Sequence, residues 1–136
     1  MSGRITDTFR RLKTAGRTGL VTYVTGGDPD LTRSTEIVRA LDRAGSDVIE
    51  VGVPFSDPLA DGPVIQRASE RALAAGVTLT GVLELVNQVR ADLHAAIVLF
   101  TYANPVFCMG AEQFAARAAA VGVDGVLVLD LPIEEA

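Results

Sequence analysis

A glutamate and two aspartates fall within one short stretch, EVGVPFSDPLADGP, at residues 50–63. Glu50 lies inside a valine-rich run, where a carboxylate has little ordinary use. Asp57 and Asp61 follow in a loop that also holds Pro54, Pro58 and Pro63. Proline fixes φ and lowers the entropy lost when a loop is ordered, so both aspartates are held rather than drifting. Side chains alternate along a strand, which puts Val48, Glu50 and Gly52 on one face and Ile49, Val51 and Val53 on the other. The all-apolar face suits contact with covering helices. Glu50 is then left on the opposite face beside Gly52, whose missing side chain leaves room. A carboxyl in a low-dielectric pocket is tuned towards proton transfer near neutral pH. With a second carboxylate on the loop above, the pair could act as acid and base, or as a base and a stabiliser of positive charge. Plainer readings stand beside these. Glu50 could simply pair with a neighbour, and either aspartate could cap the helix that starts near Val64 or form an Asx-turn before proline.

The elements that must position these groups alternate along the chain. The N-terminal stretch MSGRITDTFRRLKTAG reads as a short amphipathic helix with Ile5, Phe9 and Leu12 on one face. Leu20 to Thr25 reads as a strand, ended by Gly26-Gly27-Asp28-Pro29. Asp30 or Thr32 can cap a helix to about Ala44, striped by Ile37, Val38 and Leu41 and closed by Gly45. A second strand covers Val48 to Val53. After the proline-rich loop come a helix from Val64 to Ala75 (Ile65, Ala68, Ala72, Leu73), stopped by Gly76, and another from about Thr80 to Asp92 (Val82, Leu85, Val86, Val89). A third strand, Ala96 to Tyr102, is broken by Asn104-Pro105. A helix from Glu112 to Val121 ends at Gly122, and Gly125 to Leu129 is a fourth strand. Strand–helix alternation without an Asn-Gly hairpin signal implies an α/β fold with a parallel sheet and helical crossovers.

Residues 45–54, GSDVIEVGVP, resemble 122–132, GVDGVLVLDLP, with one residue inserted. A repeated βα unit fits a (β/α)8 TIM barrel or a doubly wound sheet. The first βα turn, TGGDPD, is not a GxGxxG dinucleotide fingerprint, which favours the barrel. In a barrel Val21, Tyr23 and Thr25 point inward from the first strand, Phe100 and Tyr102 from the third, and Leu127 and Leu129 from the fourth. The result is an aromatic and aliphatic pocket with Glu50 in it. An eight-stranded barrel usually needs about 250 residues. Residues 1–136 therefore read as a single partial barrel domain, an N-terminal half-barrel covering roughly the first four strands of a longer protein. The alternative is a true half-barrel that pairs with a second copy.

Composition removes other classes. The 136 residues are 49% hydrophobic and 21% charged, enough apolar content for a core. Net charge is −5 and the arginines are scattered, which argues against a nucleic-acid surface. The single cysteine, Cys108, makes a reducing cytoplasm the default, and it is read as structural because the lone His94 lies on a polar stretch, RADLHA. No apolar run approaches the roughly 20 residues of a membrane span. MSGRITDTFRRLKTAG lacks the apolar core of a signal peptide. No cluster has metal-ligand spacing.

EVGVPFSDPLADGPVIQ, with VTGGDPD before it, AAGV after it and TYANPVF further on, resembles the tryptophan synthase alpha subunit family. The order and spacing of these motifs match from the N-terminal helix to LVLDLP. The resemblance implies a (β/α)8 barrel of about twice this length. It also implies a lyase of L-tryptophan biosynthesis that splits indole-3-glycerol phosphate into indole and glyceraldehyde 3-phosphate by a retro-aldol reaction. On this resemblance Glu50 is the general acid/base, and Asp61 lies near the indole N–H, which it stabilises as the indolenine forms. Tyr23, Phe100, Leu127 and Leu129 would pack the indole, with Tyr102 near the glycerol end. Tyr23 stands where phenylalanine is usual and Phe100 where leucine can stand, and both keep an apolar wall. Asp130, at a strand end, is given no catalytic role. Asp57 and Pro58 would touch the β subunit of an α2β2 complex, to which indole passes by a tunnel. The α subunit carries no cofactor, and pyridoxal phosphate belongs to the β subunit. The family's mobile loop and phosphate-binding turns have no counterpart in these residues. Without that remote binding energy, the 136-residue chain alone is expected to lack useful activity. Two rival readings are another phosphate-binding lyase or isomerase of histidine or tryptophan synthesis, and a non-catalytic half-barrel that self-assembles or binds the β subunit.

Overall fold

The computed structural model describes residues 3–135. Runs rich in β-branched and aliphatic residues form four strands: β1 (Val21–Thr25), β2 (Val48–Gly52), β3 (Ala96–Thr101) and β4 (Gly125–Val128). All pair in parallel, in the order β1-β2-β3-β4. The helices are α1 (Arg4–Ala15), α2 (Leu31–Arg43), α3 (Pro63–Ala74), α4 (Leu79–Val89), α5 (Ala103–Met109) and α6 (Ala111–Val121).

The apolar stripes of the crossover helices meet one face of the sheet. Ile49, Val51, Ile97 and Leu99 are fully buried there with Val38 of α2, Ala72 of α3, Val82 and Val86 of α4, and Phe114 of α6. Burying each aliphatic side chain of this kind is worth about 1.5–3 kcal/mol. A sequential strand order has no reversal point. With the helices on one face, this is the layout of a barrel segment rather than of a doubly wound sheet. The other face carries the register rows Tyr23–Glu50–Val98 and Thr25–Gly52–Phe100–Leu127.

The internal repeat has a physical basis. Asp47, just before β2, accepts the Leu20 N–H on Oδ2 at 2.8 Å and donates its own N–H to the Leu20 carbonyl at 2.9 Å. Asp124, just before β4, does the same to Ile97, at 2.9 and 2.8 Å. Each aspartate thus brackets one residue at the start of the preceding strand and sets the register. α1 lies at this same end, with Ile5 against Gly125 and Leu12 against Gly19.

Several expectations are corrected. The buried positions of α1 are Thr8 and Leu12, while Phe9 only grazes Gly19 with its ring edge and is 47% exposed. Ile37 and Leu73 stand at the outer margins of their helices and are also exposed. Of the two caps considered for α2, Asp30 serves, accepting the Arg33 N–H at 2.8 Å. α3 opens at Gly62 and Pro63 with no side-chain cap, so neither Asp57 nor Asp61 caps it. Asn104-Pro105 ends the third strand but also begins a helix, α5. Proline is tolerated in a first helical turn because the N–H there has no intrahelical acceptor.

Candidate active site

Glu50 sits mid-strand on β2, half-buried, on the face turned away from the helices. Among the described residues no hydrogen bond or ion pair is recorded to its carboxylate. Its register neighbours are Tyr23 and Val98. The Tyr23 ring reaches across Gly52, where a Cβ would collide with the phenol. The space beside Glu50 that a glycine was expected to leave is therefore filled by Tyr23. Tyr23 packs edge-on against Phe100, with ring centroids 5.3 Å apart and planes at 77°.

The loop is anchored from β3. Phe55 stacks on Tyr102 at 5.1 Å. The Tyr102 hydroxyl donates to Asp61 Oδ2 at 3.0 Å and accepts the Ala60 N–H at 2.9 Å. The Asp61 backbone is also held: its N–H donates to the Pro58 carbonyl at 3.1 Å, and its carbonyl accepts from Gln66 Nε2 at 2.7 Å. Asp61 is thus fixed at both ends, whereas Asp57 is exposed.

Both carboxylates act on the phenols near them. The Tyr23 hydroxyl is raised above its ordinary value, first by burial and then by the charges of Asp61 and Glu50, with a bond to Thr25 opposing. The Tyr102 hydroxyl is raised by burial, by its bond to Asp61 and by the charges of Asp61 and Asp130, with the Ala60 N–H opposing. Both shifts move the phenols further from ionisation at neutral pH.

The predicted wall residues divide. Tyr23 and Phe100 are half-buried on the Glu50 face, and Leu127 lies on the same face at 41% exposure. Leu129 is half-buried in the turn after β4. Tyr102 was expected to line the glycerol end. It is only 4% exposed and fills the gap between loop and strand. Sequence reading missed this tyrosine's bond to Asp61, which joins residues 41 positions apart with no local spacing to betray it. Asp130, singled out at a strand end and given no catalytic role, accepts the Ala103 N–H on Oδ1 at 2.7 Å at the start of α5, a bond the sequence does not show. Among the described residues, no three His, Cys, Asp or Glu side chains gather as metal ligands, and no single helix is long and apolar enough to cross a membrane.

Comparison with known proteins gives one answer. The family profile described as "Tryptophan synthase alpha chain" matches residues 9–136. The tryptophan synthase alpha chain of Citrifermentans bemidjiense is 56% identical over 98% of this chain, and that of Burkholderia mallei 58% identical over 97%. The crystal structure of tryptophan synthase subunit alpha from Legionella pneumophila superposes with a TM-score of 0.95 at 41% identity over 99% of this chain. A chain from the tryptophan synthase of M. tuberculosis superposes at 0.94 with 38% identity over 99% of this chain. The chain spans about half the length of these proteins: 50% and 49% of the two sequence relatives, and 52% and 54% of the two structures. Its four strands are those of a (β/α)8 TIM barrel, and the chain belongs to the tryptophan synthase alpha chain family.

Proposed function

We propose that this chain supplies the acid–base part of a lyase site that cleaves indole-3-glycerol phosphate to indole and glyceraldehyde 3-phosphate in L-tryptophan biosynthesis. The observation that carries the reading is that Glu50, the register partner of Tyr23, and Asp61, held by the Tyr102 hydroxyl at 3.0 Å, are both positioned by the aromatic residues of β1 and β3. In the retro-aldol step a proton goes to indole C3 and positive charge appears on the ring nitrogen. The hydroxyl on the adjoining glycerol carbon then loses its proton and becomes a carbonyl. The carbon–carbon bond breaks, and its electron pair returns to the ring. Glu50, unpaired and on the open face, is the group for proton transfer. Asp61, fixed beside the pocket, is the anion for the ring N–H. Tyr23, Phe100, Leu127 and Leu129 supply the apolar wall.

Barrels of this kind hold phosphate after strands seven and eight, beyond the four strands present. A polypeptide of these residues alone is therefore expected to release no useful indole. Next to Asp57 and Pro58, Leu59 is 84% exposed on a loop stiffened by proline, and Val64, in the first turn of α3, is 75% exposed. Large apolar side chains held out in this way suit a protein contact. We assign this surface to a β subunit in an α2β2 complex. The reaction needs no cofactor here, with pyridoxal phosphate on the β partner, and the setting is the cytoplasm. The test is incubation of the complete gene product carrying this chain with indole-3-glycerol phosphate. Indole and glyceraldehyde 3-phosphate should form in equal amounts. Turnover of a different phosphorylated substrate, with no indole, would overturn the reading.

A further inference from the structure

We infer that Asp130 is a positioning residue for Asp61, acting from the end of β4 through the start of α5 and the side chain of Tyr102. The proposal rests on the reading of Asp61 given above. Three hydrogen bonds, joined through the peptide that links Tyr102 to Ala103, carry it. Asp130 Oδ1 accepts the Ala103 N–H at 2.7 Å. Ala103 is the first residue of α5 and directly follows Tyr102. The Tyr102 hydroxyl then holds both the Asp61 carboxylate, at 3.0 Å, and the Ala60 N–H, at 2.9 Å.

Tyr102 lies at a point where the backbone changes from strand to helix, with φ −84° and ψ 161°. The peptide that follows it is one whose N–H has no intrahelical acceptor. Asp130 supplies that acceptor from a neighbouring strand, which fixes the plane of the Tyr102–Ala103 peptide and with it the direction of the phenol. The ring is further clamped by stacking on Phe55 at 5.1 Å. An error at Asp130 is therefore passed to the far end of a long rigid side chain, where the Asp61 carboxylate sits. The arrangement joins the ends of β3 and β4 to the loop after β2, so one candidate catalytic group is registered against three strands.

The experiment uses the complete gene product with Asp130→Ala, Asp130→Asn, Tyr102→Phe and the Asp130→Ala/Tyr102→Phe double variant. Two readouts are taken: amide exchange at Ala60, and kcat and KM for indole release. Asp130→Ala should speed Ala60 exchange about tenfold and lower kcat about tenfold, with KM changed less than about threefold. Asp130→Asn keeps a carbonyl acceptor for the Ala103 N–H and should restore most of both. Once Tyr102 has lost its hydroxyl, adding Asp130→Ala should cost little more, because residues that act through one shared side chain do not act additively. Independent, multiplying effects of the two substitutions would overturn the proposal, as would unchanged Ala60 exchange in Asp130→Ala. Should the unmodified protein release no indole at all, the functional reading falls, and Ala60 exchange alone still decides whether Asp130 sets the loop.

Discussion

Glu50 and Gly52 share one face of β2, and the glycine matters because of what lies on it. Tyr23 crosses Gly52 so closely that no Cβ fits beneath the phenol. Gly52→Ala should push Tyr23 off Phe100 and into the pocket, at an overpacking cost of about 1–3 kcal/mol. The checks are a lowered urea midpoint and weakened substrate binding in the complete protein. Unchanged stability and KM would show that Tyr23 moves freely. At this scale the sequence was informative where a residue was out of place. A glutamate in a valine run announces itself through strand alternation alone. Tyr102 does not, because a tyrosine at a strand end looks like one more wall residue. Its bonds to Asp61 and Ala60 depend on how a proline-rich loop folds back over β3, which no local pattern encodes.

At the scale of elements, strand–helix alternation was legible because the apolar period changes between two and 3.6 residues and glycines mark most helix ends. The short α5 was hidden, since Asn104-Pro105 signals a break as readily as a first helical turn. The repeat GSDVIEVGVP/GVDGVLVLDLP was visible as a pattern, but its meaning needed coordinates: both aspartates bracket the strand before them. The two are not equal in load. Asp47 accepts from Leu20. Asp124 accepts from Ile97 and also pairs with Arg90 at 3.1 Å, side chains 13% and 12% exposed. Burial, then the nearby Arg4, push the Arg90 guanidinium below its ordinary value, and Asp124 opposes this. Asp124→Ala leaves that cation without its partner and should cost about 3–5 kcal/mol. Asp47→Ala loses a hydrogen bond to a partly exposed N–H and should cost about 1 kcal/mol. Equilibrium urea unfolding of the two variants checks the ranking, and equal losses would contradict it.

For the whole molecule, four parallel strands present two outer edges, and the last strand is partly exposed on both faces. Val126 is 42% and Leu127 41% exposed, and at the opposite edge Leu20 and Val21 are 51% and 47% exposed. Unpaired edges flanked by apolar side chains are templates for association. A polypeptide of these 136 residues alone should therefore self-associate, seen as species above 14.3 kDa in sedimentation velocity, where a clean monomer is the contrary result. The barrel itself was readable from the repeated βα unit and the absent dinucleotide turn, and relatives of about twice the length agree with a chain that covers half of it. Glu50 as the proton-transfer group is central to the proposed reaction. Its most direct test is the rate of indole release from indole-3-glycerol phosphate by the complete gene product, with and without Glu50→Gln. The amide keeps the shape of the side chain and cannot move the proton. The expected result is a fall in kcat of about 10²–10⁴-fold with KM nearly unchanged. A variant that turned over within a few-fold of the unmodified protein would contradict it.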